Sequence, residues 1–99
     1  MPPTPTASGE CYVNKDVWLQ FNNSYTTIYG SHSVGGSCVI TLHYIDNSGH
    51  EIGVQGDVLS LPNVESRSAN ITVPSNTAFV QVNERGSGIG SNATQVWFS

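Results

Sequence analysis

The clearest pattern of apolar and polar positions lies between residues 38 and 54. From Cys38 to Tyr44 every second residue is apolar or aromatic, which is the two-residue period of a strand with one face in the core. Residues 46–49, Asp-Asn-Ser-Gly, supply turn chemistry, and an extended pattern resumes at His50. We predict a β-hairpin here and expect it to be the central scaffold of the fold.

The same two-residue period recurs along the rest of the chain. Further strands are predicted at residues 16–22, 25–29, 50–54, 58–61, 68–73, 78–84 and 94–98. No window carries the 3.6-residue apolar period of an amphipathic helix. Short strands joined by turns rich in Gly, Asn and Ser predict an all-β fold, an antiparallel two-sheet β-sandwich (Ig-like or lectin-like) of about seven to eight short strands. A small closed barrel is the alternative.

The N-terminal segment differs in composition from the rest of the chain. Residues 1–9 are rich in Pro, Thr and Ser, which bury little apolar surface. We therefore predict a flexible Pro/Thr-rich linker or tail at residues 1–9 and a single β-sandwich domain at residues 10–99. Gly and Ser are concentrated at residues 30–37 and 86–92, where we predict flexible loops.

Charge is scarce in this sequence. Charged residues make up 10% of the chain, with three basic and seven acidic side chains and a net charge of −4. Scattered basic residues argue against a nucleic-acid surface and against electrostatic capture by anionic lipid heads. Ser, Thr, Asn and Gln supply the polarity instead, as is common in secreted proteins, and we predict a secreted, extracellular protein. Three N-x-S/T sequons accord with this, at Asn22, Asn70 and Asn92.

The two cysteines are placed where a disulfide would restrain the fold. Cys11 lies just before the first predicted strand, and Cys38 lies on the inward face of the hairpin. A disulfide between them would close a loop of about 27 residues and contribute roughly 3–4 kcal/mol to stability. Two reduced, separately buried thiols are the alternative in a cytosolic protein. The small size and low lysine content favour the disulfide.

Motifs for catalysis or cofactor binding are not found in the sequence. It has no G-x-S-x-G elbow and no located pair of carboxylates, and the glycine-rich run at residues 86–90 leads into a strand rather than a helix. His43 and His50 flank the hairpin turn near Asp46 and Glu51, but two histidines without a firm third ligand are a weak metal signal. We therefore predict a non-enzymatic protein with no cofactor and no metal site.

Three predicted strands place an aromatic residue and amide side chains on the face opposite the core. Because successive side chains of a strand point to opposite faces, inward apolar residues leave the alternate residues outward. The outward set comprises Trp18, Gln20, Phe79, Gln81, Gln95 and Trp97. Exposed aromatic area marks an interaction surface, although a loop, a terminus or a second subunit could cover these rings instead. His32, with the 30–37 loop, is the predicted rim of the site.

Aromatic rings beside neutral amides suit a sugar ligand. The C–H face of a sugar ring stacks on an aromatic ring, while amides bind its hydroxyl groups without desolvating a charge. We predict a lectin-like module for a carbohydrate or glycoprotein surface, with Trp18, Gln20 and Trp97 as its platform. A membrane-interacting, toxin- or cytolysin-like sandwich and an adhesion or structural module of a larger extracellular protein are the alternatives. The sequence leaves homo-oligomerisation open.

Overall fold

The computed structural model describes residues 5–9, 11–12, 14–33, 36–62, 64–88 and 93–99. The strands in this part of the chain are β1 (Thr6–Gly9), β2 (Cys11–Tyr12), β3 (Lys15–Gln20), β4 (Thr27–His32), β5 (Ser37–Asp46), β6 (Glu51–Pro62), β7 (Glu65–Asn70), β8 (Thr77–Gly88) and β9 (Thr94–Phe98). Every pairing between them is antiparallel. No described segment forms a helix of the length and apolar character needed to cross a membrane.

The strands form two sheets that pack face to face. The four-stranded sheet has the order β1–β9–β4–β7, and the five-stranded sheet has the order β2–β8–β5–β6, with β3 also paired to β8. β2 and β3 pair with different parts of β8, so they lie in line along one side of it. β5 and β6 form the predicted central hairpin. The predicted antiparallel two-sheet β-sandwich is confirmed.

The core between the sheets is built from the inward-facing residues of each strand. Alternate residues of β5, from Cys38 to Tyr44, are at most 1% exposed, and Val80 and Val82 of β8 are fully buried. Phe98 of β9 is fully buried from the opposite sheet. Burial of a Val, Leu or Phe side chain contributes roughly 1.5–3 kcal/mol, so the two-residue period accounts for most of the stabilising contacts.

Four strands include residues that were predicted to be flexible, among them β5, which begins at Ser37, and β8, which extends through Gly86 to Gly88. The prediction of a flexible tail is wrong for Thr6–Gly9, which pairs with β9 as strand β1 because Ala7 packs into the core. The prediction of a loop is wrong for Gly30–His32, which continue β4. Residues 1–4 of the tail and residues 89–92 of the second loop, including the sequon at Asn92, lie outside the described residues.

The strand β6 combines two segments that were predicted separately. Its residues 51–62 pair with β5, with one register shift between Tyr44 and Ile45 of β5 and another between Ile40 and Leu42. The second shift lies at residues 55–57, between the two predicted strands, where Asp57 has a φ of 49°. A bulge of this kind bends a strand without ending it.

The predicted disulfide between Cys11 and Cys38 is confirmed. The two Cα atoms are 5.9 Å apart, and both residues are fully buried. Cys38 lies opposite Gly86 of β8, and Cys11 lies opposite Gly88. β8 therefore lies between β2 and β5 in the sheet, and the disulfide joins these two strands across it.

Gly30 is required by the close approach of the two sheets. A methyl group at this position would lie 2.9 Å from Leu59 Cδ1 and 3.0 Å from Leu61 Cδ1. We expect Gly30→Ala to lower the free energy of unfolding by about 1 kcal/mol, because overpacking outweighs the entropy gained from losing a glycine. Gly56→Ala is the matched control, since no atom lies within 4 Å of the position that its methyl group would take. Equal urea midpoints for the two variants would contradict this account.

Candidate functional site

Six of the seven predicted site residues divide between the two outer faces of the sandwich, and His32 is buried. Trp18 lies on β3, which joins the five-stranded sheet, whereas Trp97 lies on β9 of the four-stranded sheet. Both are on the side of their strand away from the core, so they point in opposite directions. The predicted platform of Trp18, Gln20 and Trp97 is therefore wrong. Strand alternation places a residue relative to the core, but it does not say which sheet the strand joins.

The outer surface of the four-stranded sheet is rich in hydroxyl groups, and we call it the hydroxyl face. Its outward side chains are Thr6, Ser8, Thr27, Tyr29, Ser31, Ser66, Ser68, Asn70, Gln95 and Trp97. The strand registers align them in rows, one of which reads Thr6, Trp97, Tyr29 and Ser68. The row beside it reads Ser8, Gln95, Ser31 and Ser66. None of these ten side chains carries a charge.

The charged residues of β7 lie on the other side of that strand. Glu65 and Arg67 form an ion pair at 2.7 Å, and Arg67 also donates to the backbone carbonyl of Ser60 at 3.0 Å. Ser60 belongs to β6 in the opposite sheet, so Arg67 reaches across the gap between the sheets. The hydroxyl face is consequently left with neutral hydrogen-bonding groups.

A pair of aromatic rings stands at the centre of the hydroxyl face. Tyr29 and Trp97 are direct partners across β4 and β9, and their rings stack with centroids 5.8 Å apart and planes 9° apart. Ser99 Oγ donates a hydrogen bond of 3.3 Å to the Tyr29 hydroxyl. Such a cross-strand pair stabilises a sheet by roughly 0.2–1 kcal/mol and holds both rings in fixed positions.

A groove runs beside Trp97 on the side away from Tyr29. It has a volume of about 350 Å³ and is lined by the β1 and β9 strands, with Thr6, Ser8, Gln95 and Trp97 contributing their side chains. This volume is within the range of small-molecule sites. The groove combines one aromatic ring with two hydroxyl groups and one amide, all uncharged.

The other outer face carries the remaining predicted residues, and we call it the Trp18 face. It contains Trp18, Gln20, Phe79, Gln81 and His43. Trp18 is 56% exposed and lies opposite Gln81, while Gln20 lies opposite Phe79. This surface also carries carboxylates. Asp16 is exposed in the same phase of β3, and Glu51 Oε1 accepts a hydrogen bond of 2.6 Å from His43 Nδ1.

His32 does not form the rim of a site. It is only 1% exposed, because the continuation of β4 places it in the inward phase of that strand. Its Nδ1 atom lies 2.7 Å from the buried hydroxyl of Thr94, and its Nε2 atom has no hydrogen-bond partner among the described residues. The prediction that His32 contacts a surface ligand is therefore wrong.

The two hairpin histidines bind different carboxylates. His43 pairs with Glu51, while His50 lies 3.8 Å from Asp46 and is largely exposed. The backbone N–H of His50 is the main cause that lowers the pKa of Asp46, and the N–H groups of Ser48 and Gly49 act in the same direction. No group of three or more His, Cys, Asp and Glu residues in the described part of the chain could hold a metal ion.

Sequence reasoning missed Thr6 and Ser8, which it placed in a flexible tail, and it also missed Tyr29. The predicted strand at residues 25–29 contains it, and inward placement of Ile28 would have placed Thr27 and Tyr29 outward. What the sequence could not show is that this strand pairs directly with β9, which brings Tyr29 against Trp97.

Comparisons with known proteins identify no family for this chain. No protein-family model matches the chain, and no curated protein matches its sequence. Among solved structures, it is similar to chains of infectious bursal disease virus from the Gt and Gx strains, with TM-scores of 0.46 and 0.48 and identities of 10% and 13%. A VP2 subviral particle of the same virus matches with a TM-score of 0.44 and 12% identity. The matches cover 96–99% of this chain and 30–31% of the viral chains, and at this level they carry no argument about function.

Proposed function

We propose that this chain is a secreted, non-enzymatic module that binds carbohydrate through the hydroxyl face. One observation carries the proposal: Trp97 lines a groove together with the neutral hydroxyl and amide residues Thr6, Ser8 and Gln95, and the remaining lining residues, Ala7 and Val96, are apolar. Its ring is held from behind by Tyr29, so the aromatic surface is in place before a ligand arrives. Preorganisation of this kind reduces the entropy cost of binding.

The chemistry of the groove matches a pyranose ring. The apolar C–H face of a sugar can stack on an indole, and the Trp97 ring is only partly buried. The side chains of Thr6, Ser8 and Gln95 can both donate and accept hydrogen bonds, which suits sugar hydroxyl groups. A charged ligand would find no countercharge on the hydroxyl face, and its desolvation would be uncompensated.

No described feature favours the membrane-binding or adhesion alternatives over this one. The hydroxyl face has no Lys or Arg to attract anionic lipid, and its aromatic content is a single pair of rings. An oligosaccharide needs only one or two ring platforms. A bilayer would require a broader apolar surface.

The test uses tryptophan fluorescence, because the chain has two tryptophans on opposite faces. In Trp18→Phe the emission reports on Trp97 alone, and titration with mannan, galactan, xylan and chitin fragments should change it for at least one glycan. Trp97→Ala should weaken binding of that glycan by roughly thirtyfold, as expected for a central aromatic anchor worth about 2 kcal/mol.

Trp18→Ala is the matched control, since it removes the same ring from the other face. It should leave the affinity of the hydroxyl face unchanged. The proposal fails if every glycan leaves the Trp97 emission unaltered, or if both alanine variants bind the same glycan as tightly as the wild type.

A further inference from the structure

A second groove lies at the end of the sandwich where the β3–β4 and β5–β6 connections come together. It has a volume of about 500 Å³, and its lining includes Pro5, Gln20, Asn22, Tyr25, Asn47 and Phe79. We call it the turn groove. We infer that the turn groove is a separate saccharide site that holds one neutral pyranose ring.

Aromatic rings line the turn groove and are fixed by packing. Tyr25 stacks on Phe21 with ring centroids 4.7 Å apart and planes 21° apart. Phe21 is buried and meets Phe98 of the core edge-on at 4.8 Å. Phe79 is half-buried and lies in the outward phase of β8. The aromatic surface is therefore anchored to the core and needs little ordering when a ligand binds.

Three amide side chains from three segments complete the lining. Asn22 Oδ1 accepts a hydrogen bond of 2.9 Å from the backbone N–H of Ser24, which leaves its NH₂ group as a donor. Gln20 and Asn47 are both exposed, and neither has a side-chain hydrogen bond to any described residue. These amides can bind ligand hydroxyl groups without breaking an existing contact.

The β5–β6 turn that carries Asn47 is held in place by its neighbour. Asp46 Oδ1 accepts hydrogen bonds of 2.9 Å from the backbone N–H groups of Ser48 and His50. Among the described residues, no charged side chain lines the turn groove. A phosphate, a carboxylate or an ammonium ligand would thus lose hydration without meeting a countercharge, whereas a neutral sugar would not.

The turn groove and the groove beside Trp97 lie in different parts of the molecule. The residues that line them are distinct, and Phe79 and Trp97 lie on opposite outer faces. One chain with both sites is bivalent and can cross-link a polysaccharide. This consequence rests on the proposed function, whereas the turn groove itself does not.

The experiment compares binding with cross-linking for four proteins made in a host without N-glycosylation, so that the sequon at Asn22 is unmodified. They are the wild type, Trp97→Ala, the double variant Gln20→Ala/Asn47→Ala, and the triple variant. Gln20 and Asn47 are exposed, so their truncation leaves the core intact, and thermal unfolding verifies this. Binding to immobilised mannan, galactan, xylan and chitin fragments is measured alongside turbidity of the soluble polysaccharides.

We expect the wild type to precipitate at least one polysaccharide. The double variant should no longer precipitate the polysaccharide but should still bind it through Trp97. Its affinity for the sugar bound in the turn groove should be roughly tenfold weaker than that of the wild type. The triple variant should lose binding.

If the double variant precipitates and binds as the wild type does, the turn groove is not a saccharide site. If Trp97→Ala binds every glycan as the wild type does while the double variant loses all binding, the hydroxyl-face proposal is wrong and the turn-groove proposal is supported. Absence of binding to every glycan contradicts both.

Discussion

Reduction of the Cys11–Cys38 disulfide should lower the free energy of unfolding by about 3.5 kcal/mol, because the bond closes a loop of roughly 27 residues in the unfolded chain. For a domain of this size, the same change would lower the melting temperature by roughly 15–20 °C. Urea unfolding of the oxidised and the reduced wild type, followed by far-UV circular dichroism, measures the difference without substituting any residue.

The structure indicates where the reduced protein should loosen first. β2 is two residues long and pairs only with the end of β8, so the disulfide is its main attachment to the sheet. Amide exchange should therefore accelerate most in the segment around Cys11. The matched control is Cys11→Ala/Cys38→Ala, whose stability should not respond to reductant. If reduction of the wild type lowers the free energy of unfolding by less than about 1 kcal/mol, the unfolded chain is already restrained by other means.

This disulfide belongs to the part of the fold that periodicity could predict. Alternation fixes which side of a strand faces the core, so Cys38 could be placed inward with Ile40 and Leu42, and all three are fully buried. The same reasoning placed Trp18 outward, and it is the most exposed ring on its face. Local pattern and turn chemistry suffice for such statements because they depend on neighbours along the chain.

The candidate site depended on contacts that local pattern does not encode. Trp18 and Trp97 have the same phase, yet β3 and β9 join different sheets, and only the order of the strands separates them. Gly30 made its segment resemble a loop, although it lies within β4, where a methyl group would come within 2.9 Å of Leu59 Cδ1. His32 was consequently assigned to the surface. Packing between sheets, rather than turn propensity, decided the structure of that segment.

The burial of Glu84 is another feature of the fold that the local sequence pattern could not predict. The alternation that places Val80 and Val82 inward also places Glu84 inward, but a carboxylate near the end of a strand is ordinarily solvated. In the structure Glu84 is fully buried, and neither of its carboxyl oxygens has a hydrogen-bond partner among the described residues. Burial raises the pKa of Glu84 to about 7 from 4.5, while the charge of Lys15, its partner on β3, opposes the shift.

The protein should therefore be less stable at pH 8 than at pH 5, by about 3 kcal/mol. Between 4.5 and about 7 the folded protein keeps a proton on Glu84 that the unfolded chain releases, so stability falls as the pH rises through this window. Asp46 does not contribute there, because its pKa is lowered and it titrates at more acid pH. Urea unfolding at half-unit steps from pH 5 to pH 8 measures the slope.

Glu84→Gln is the control that isolates this carboxyl group, since it removes one titratable group and leaves all the others in the chain. We expect it to remove most of the slope and to be more stable than the wild type at pH 8, because a neutral amide avoids burying a charge. Lys15→Gln should act in the opposite sense: without the nearby positive charge the pKa of Glu84 rises further, and the loss of stability moves to higher pH. A Glu84→Gln variant that keeps the wild-type slope would assign the pH dependence to another group and would mean that water reaches this carboxyl group.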